Sequence, residues 1–146
     1  MLSFTDPAVS VVDADAYAIL RAWAEWVGPD QVKAGAIRRA QDYIAGIGNG
    51  RWANEWHNDD APAEVKYAII EAARRELVSP GSLNPDFIAS KVLRRERKKV
   101  GPLEKELEYS EASKASAVRP DIAIIDQLLA GLLRPAGGAS VDILRV

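Results

Sequence analysis

Apolar residues recur at spacings of three and four along several stretches of this chain. Prolines, glycines and a capping residue bound those stretches, so most of the sequence reads as α-helix. Asp13 is placed to cap a first helix running to about Val27, with Ala16, Leu20, Trp23 and Val27 on its apolar face, and Gly28-Pro29 stops it. A second helix, from about Asp30 to Ile47, puts Ile37, Ala40, Ile44 and Ile47 on one stripe and Lys33, Arg38 and Asp42 away from it. So short a connection makes these two helices expected antiparallel neighbours. Pro62 suits the first turn of a third helix to about Leu77, burying Val65, Ile69, Ala72 and Ala73. A fourth, at about Pro120 to Leu133, carries Ile122, Ile125, Leu129, Leu132 and Leu133 on one face.

The stretch from Val92 to Tyr109, VLRRERKKVGPLEKELEY, has a different period. Leu103, Lys105, Leu107 and Tyr109 alternate with Glu104, Glu106 and Glu108, as a half-buried strand requires. With Gly101-Pro102 as the turn, Lys99 faces Glu104, Arg97 faces Glu106 and Arg95 faces Glu108 across a β-hairpin. Six basic residues (Lys91, Arg94, Arg95, Arg97, Lys98, Lys99) against Glu96 give a local charge of +5, which taken alone suggests nucleic acid. The acidic arm cancels much of it. Phe87, Ile88, Val92 and Arg95 could also lie along a helix, and the regular second arm favours strands. After the last helix, Arg134-Pro135-Ala136-Gly137-Gly138 is a break, and SVDILRV (140–146) is a short β-prone piece able to add to a partner's sheet edge. The expected fold is mainly α: a small bundle of about four helices with a protruding hairpin at about 91–109 and an extended C-terminal strand. The helical domain is expected over 1–135 and the tail over 136–146.

Composition narrows the function. A chain of 146 residues with 48% hydrophobic content suits one domain with a real core. The net charge of −2 and a pI near 5.5 argue against a general polyanion binder. Without cysteine there is no disulfide, thiolate metal site or cysteine nucleophile. No apolar run approaches the roughly 18 to 20 residues of a membrane span, and the N-terminus lacks signal-peptide features. A soluble, intracellular protein is expected.

Catalytic constellations are scarce. His57, the single histidine, lies in the turn-rich loop from Gly48 to Ala61 beside Asp59 and Asp60 and reads as a locally bonded loop residue rather than a ligand or base. Gly46, Gly48 and Gly50 precede no phosphate-binding helix start and read as a C-cap and turn. Trp23 reads as core and Trp26 as its edge. Trp52 and Trp56, next to Arg51, either stack on bases or staple the loop to the helices. No enzyme, cofactor or metal is expected.

The order of parts is similar to a known group. DADAYAILRAWAEW, AGAIRRAQDYIAG, Arg51-Trp52, the AEVKYAIIEAARREL helix, VGPLEKELEY, PDIAIIDQLLAGLL and the tail ending in ILRV resemble phage proteins labelled DnaT-like single-stranded-DNA-binding. They also resemble the overlapping head-to-tail adaptors (connector, head-completion proteins) of long-tailed phages. The adaptor resemblance implies a structural virion protein in the neck, made in the host cytoplasm. It would form a ring, commonly of twelve copies, under the portal protein, continuing the DNA channel toward the stopper or tail-completion protein without holding the DNA tightly. It points to Val141, Ile143, Leu144 and Val146 as portal-contacting. Arg95, Arg97, Lys99, Glu104 and Glu106 would meet a neighbouring subunit or protein. Single-stranded-DNA binding is the alternative.

Overall fold

The computed structural model describes residues 1–85 and 120–135. Their elements are α1 (Val11–Leu20), α2 (Asp30–Gly48), a 3-10 turn (Asn58–Asp60), α3 (Ala63–Val78) and α4 (Ala123–Leu129), with an isolated antiparallel bridge between Trp52 and Leu133. The architecture is thus mainly helical, with four α-helices and no strand beyond that bridge among the described residues. The hairpin expected at 91–109 and the strand at 140–146 lie outside the described residues, and the expected division at 135/136 falls on their edge. The chain divides into two compact units, Met1–Pro80 with Ile122–Val146, and Gly81–Asp121. All four helices belong to the first.

The most extensive helix contact joins α2 to α3; α4 packs on α3, and α1 makes smaller contacts with both. Alanines let these backbones approach: Ala36 and Ala40 of α2 and Ala68, Ala72 and Ala73 of α3 have no exposed surface. Ile44 and Ile69 are equally enclosed, each contributing about 1.5–3 kcal/mol by leaving water. Helix α2 starts at Asp30 as expected, and α3 starts at Ala63, with Pro62 as its N-cap rather than in its first turn; proline at either cap has no N–H to strand and a φ already suited to the turn.

Helix α1 departs from expectation at both ends. Its N-cap is Ser10, whose Oγ accepts from the Asp13 N–H at 3.1 Å, so Asp13 sits inside the first turn beside the positive end of the helix dipole. It ends at Leu20 rather than near Val27. The Trp23 N–H donates to the Ala18 carbonyl at 3.1 Å and the Ala22 N–H to the Ile19 carbonyl at 3.1 Å, a Schellman closure around Ala22 at φ 53°. That position usually holds glycine, and alanine there conceals the helix end from the sequence. Ala22→Gly should therefore raise stability by about 0.5–1 kcal/mol, since the left-handed strain of the Cβ exceeds the added chain entropy. An unchanged or lower urea midpoint would contradict this.

The buried face of α1 also differs. Ala14, Tyr17 and Ala18 point inward, whereas Ala16, Ile19 and Leu20 face solvent, the last at 82% exposure. The helix carries apolar residues on both sides, so periodicity alone does not choose between them. Helix α4 is shorter than the expected 120–133. Beyond Leu129 the chain turns and pairs with the loop: Ala53 N–H donates to the Leu132 carbonyl at 2.9 Å, and Arg134 N–H to the Arg51 carbonyl at 2.7 Å. Ile122, Ile125 and Leu129 are buried as expected, while Leu132 and Leu133 are half-buried.

Residues 1–9 run along α2 without regular structure, and side-chain amides satisfy their backbone. Gln41, fully buried, accepts from the Ala8 N–H at 2.8 Å and donates to the Ser3 and Asp6 carbonyls at 2.7 and 2.9 Å. Asn49 makes a two-bond clamp on Leu2, accepting from its N–H and donating to its carbonyl, both at 2.9 Å. Asn58 accepts from the Ser3 N–H at 2.9 Å. A buried backbone must be paired, and these three amides do for the segment what a sheet partner would.

Candidate nucleic-acid interface

Among the described residues, two surfaces are richest in aromatic and basic side chains set together. The first is the Trp-rich loop. Asn49 Oδ1 also accepts from the Trp52 indole N–H at 2.9 Å, and Trp52 is buried against the end of α2. Gly48 makes this possible, because a Cβ there would fall inside the Trp52 ring. Gly46 and Gly48 accordingly lie within α2, and the role of Gly48 is close approach rather than the C-cap expected of it. Gly48→Ala should cost roughly 1 kcal/mol net, overpacking outweighing the gain in helix propensity. Thermal unfolding of that variant at or above the wild-type midpoint would refute the contact.

Trp56 stacks obliquely on Trp52 with ring centroids 5.0 Å apart and remains half-exposed. Arg51 does not flank an open base site, since its Nε and Nη2 both donate to the Arg134 carbonyl, at 3.1 and 3.0 Å. Trp52 and Arg51 are therefore staples, and Trp56 alone of the pair presents a ring face. The cleft beside it, about 600 Å³, is bordered by Asn54, Glu55, His57 and Arg134. The His57 side chain is exposed, and its carbonyl closes the 3-10 turn by accepting from the Asp60 N–H at 2.9 Å. No group of three His, Cys, Asp or Glu side chains able to hold a metal occurs among the described residues.

The second surface lies between α1 and α3. Tyr17 is its hinge: the phenol donates to Glu71 Oε2 at 2.8 Å, the Arg21 guanidinium lies 3.4 Å from the ring centroid, Trp23 meets it edge-on at 5.4 Å and Tyr67 packs on it at 5.2 Å. Arg74 covers Trp23 at 4.6 Å and pairs with Glu25 at 2.5 Å. Glu71, nearly buried, is neutralised by Arg75 at 3.2 Å and more distantly by Arg21 at 3.9 Å. Burial, then the bond to Glu71 and the charge of that carboxylate, push the Tyr17 phenol well above its ordinary pKa. The adjoining groove, about 530 Å³, is lined by Asp13, Leu20, Arg21, Lys66, Tyr67 and Ile70 among others.

The tryptophans after α1 exchange their expected roles. With the helix ended at Leu20, Trp26 folds back and is buried, donating to Asp15 Oδ1 at 2.8 Å, while Trp23 is half-exposed. Lys33 reaches the same Asp15 oxygen at 3.0 Å. Burial works against the Asp15 charge, but the bonds from Trp26 and Lys33 and the lysine's charge outweigh it and hold the carboxyl below its usual range.

Sequence reasoning missed the second surface. One trace of it was visible: Tyr67, Glu71, Arg74 and Arg75 fall at helical spacing on one side of α3. Arg95, Arg97, Lys99, Glu104, Glu106, Val141, Ile143, Leu144 and Val146 lie outside the described residues.

The class defined by these features is a small mainly helical protein whose described surface carries aromatic–arginine clusters. The family described as "Putative DnaT-like ssDNA binding protein" matches residues 5–146, and the chain belongs to that family. No curated protein and no solved structure matches it.

Proposed function

We propose that this protein binds single-stranded DNA and catalyses no reaction on it. The family match across residues 5–146 carries this reading, and it favours the single-stranded-DNA alternative over the adaptor role. Physical support comes from half-exposed rings beside cations: Trp56 near Arg134, and Tyr67 near Arg21 and Lys66. Sequence-tolerant single-strand binding needs that combination, with ring faces for bases and cations for phosphates. A net charge of −2 gives little attraction at a distance, so binding has to be local and salt-sensitive. The test is fluorescence anisotropy with a labelled oligothymidylate across a salt series. Three phosphate contacts imply a loss of roughly tenfold or more for a fourfold rise in salt. A protein that ignores the oligonucleotide even at low salt does not have this function.

The adaptor reading keeps one observation of its own. Val12, Ala16, Ile19 and Leu20 form an apolar stripe on the solvent side of α1, with Val12 and Ile19 75% and 76% exposed, and such a stripe suits a protein partner. In this reading the protein assembles as a ring on the portal in the virion neck. The mass of the complex formed with the portal ring of the same genome decides it: a gain near one copy per portal subunit supports the adaptor, and no gain removes it.

A further inference from the structure

We propose that the single strand lies in the groove between α1 and α3, with a base stacked on Tyr67 and phosphates held by Lys66 and Arg21. This rests on the single-stranded-DNA reading and assigns its site. Of the two aromatic surfaces, the Trp-rich loop is the weaker candidate. Trp52 is enclosed, the Arg51 guanidinium is held on a main-chain carbonyl, and Glu55 adds a carboxylate to the lining of the cleft, which repels a phosphate.

The α1–α3 groove lacks those obstacles. Tyr67 is 41% exposed and braced from behind by Tyr17, which its bond to Glu71 holds in place. A braced ring loses little side-chain entropy when a base stacks on it, so more of the stacking energy appears as affinity. Arg21 keeps 42% of its side chain exposed while lying over Tyr17, and its nearest carboxylate, Glu71, is already neutralised at shorter range by Arg75. Its guanidinium can therefore turn donors toward a phosphate. Lys66, one residue before Tyr67, is half-buried on the groove wall and forms no ion pair among the described residues. Against these two cations the groove sets one carboxylate, Asp13, so it carries a positive balance on a protein whose net charge is negative. Exposed Leu20 adds an apolar edge for the second face of a base.

The test is oligothymidylate anisotropy on wild type, Tyr67→Ala, Tyr67→Phe and Lys66→Gln, with circular dichroism confirming that each is folded. Tyr67→Ala should weaken binding about tenfold, as loss of one stacked base does, while Tyr67→Phe stays near wild type. Lys66→Gln should lower affinity and flatten the log–log salt slope by about 0.7, one phosphate contact on a single strand. Wild-type affinity and slope in folded Tyr67→Ala and Lys66→Gln would overturn the groove while leaving single-strand binding intact. Absence of binding by wild type itself would instead overturn the functional reading, and the groove assignment with it.

Discussion

Gln41→Leu should destabilise the protein by about 2–3 kcal/mol, moving the thermal midpoint down by roughly 5–10 °C. Leucine fits the volume and suits a helix, so the loss comes from the partners it abandons. The Ala8 N–H and the Ser3 and Asp6 carbonyls all turn to this one buried amide, at 2.7–2.9 Å. The Ala8 N–H loses its protein partner, at about 1–3 kcal/mol where water cannot replace it, and the two carbonyls each lose one of two donors. Arg38 donates to the Ser3 carbonyl at 2.9 Å and Asn58 to the Asp6 carbonyl at 3.1 Å, which tempers the cost at both oxygens. Amide exchange should accelerate first across residues 2–9 and only later in α2 and α3, because the clamp holds the segment rather than the helix pair. A variant with an unchanged urea midpoint would show that the segment contributes nothing to stability.

Glu71→Leu should cost roughly 2–3 kcal/mol. It removes the acceptor of the buried Tyr17 phenol, leaves Arg75 without its 3.2 Å carboxylate and relaxes the stack that positions Tyr67. The arginines are a third or more exposed and recover water, so the penalty falls below that of a fully enclosed ion pair. Glu71→Gln separates charge from hydrogen bonding, because the amide oxygen still accepts from Tyr17. The pH dependence has a definite sign. The folded-state pKa of Tyr17 is raised, so its contribution is fully present below the unfolded-state value and is lost as pH rises through the folded one. In an ultraviolet titration the wild type should therefore hold one phenol un-ionised well above the ordinary tyrosine range, and Glu71→Gln should bring that phenol down. An alkaline titration identical in both proteins would mean that Glu71 does not govern Tyr17.

Helices α2 and α3 were legible nearly to the residue, because a proline stands before each and one apolar stripe is stronger than any other. Helix α1 was legible as a helix but not in its end or its facing. Its end is written in a left-handed alanine, for which no sequence signal exists, and its two apolar sides compete. That error carried forward to the tryptophans: extending α1 to Val27 put Trp23 in the core, whereas ending it at Leu20 lets Trp26 fold back onto Asp15. Gln41 falls on the apolar stripe of α2, four residues after Ile37 and three before Ile44, but its task depends on a segment more than thirty residues earlier.

The sequence by itself determined the helical class, the positions of α2 and α3 and the membership in a DnaT-like group, since each depends on local pattern or on residue types present. Only the tertiary structure decided which tryptophan is sealed, which apolar face of α1 meets water, and that Tyr17, Arg21, Tyr67, Glu71 and Arg74 share one surface. The shared surface depends on contacts between residues about fifty positions apart, such as the phenol of Tyr17 and the carboxylate of Glu71, and the sealing of Trp26 on a chain reversal that brings it back to Asp15; no local periodicity encodes such meetings.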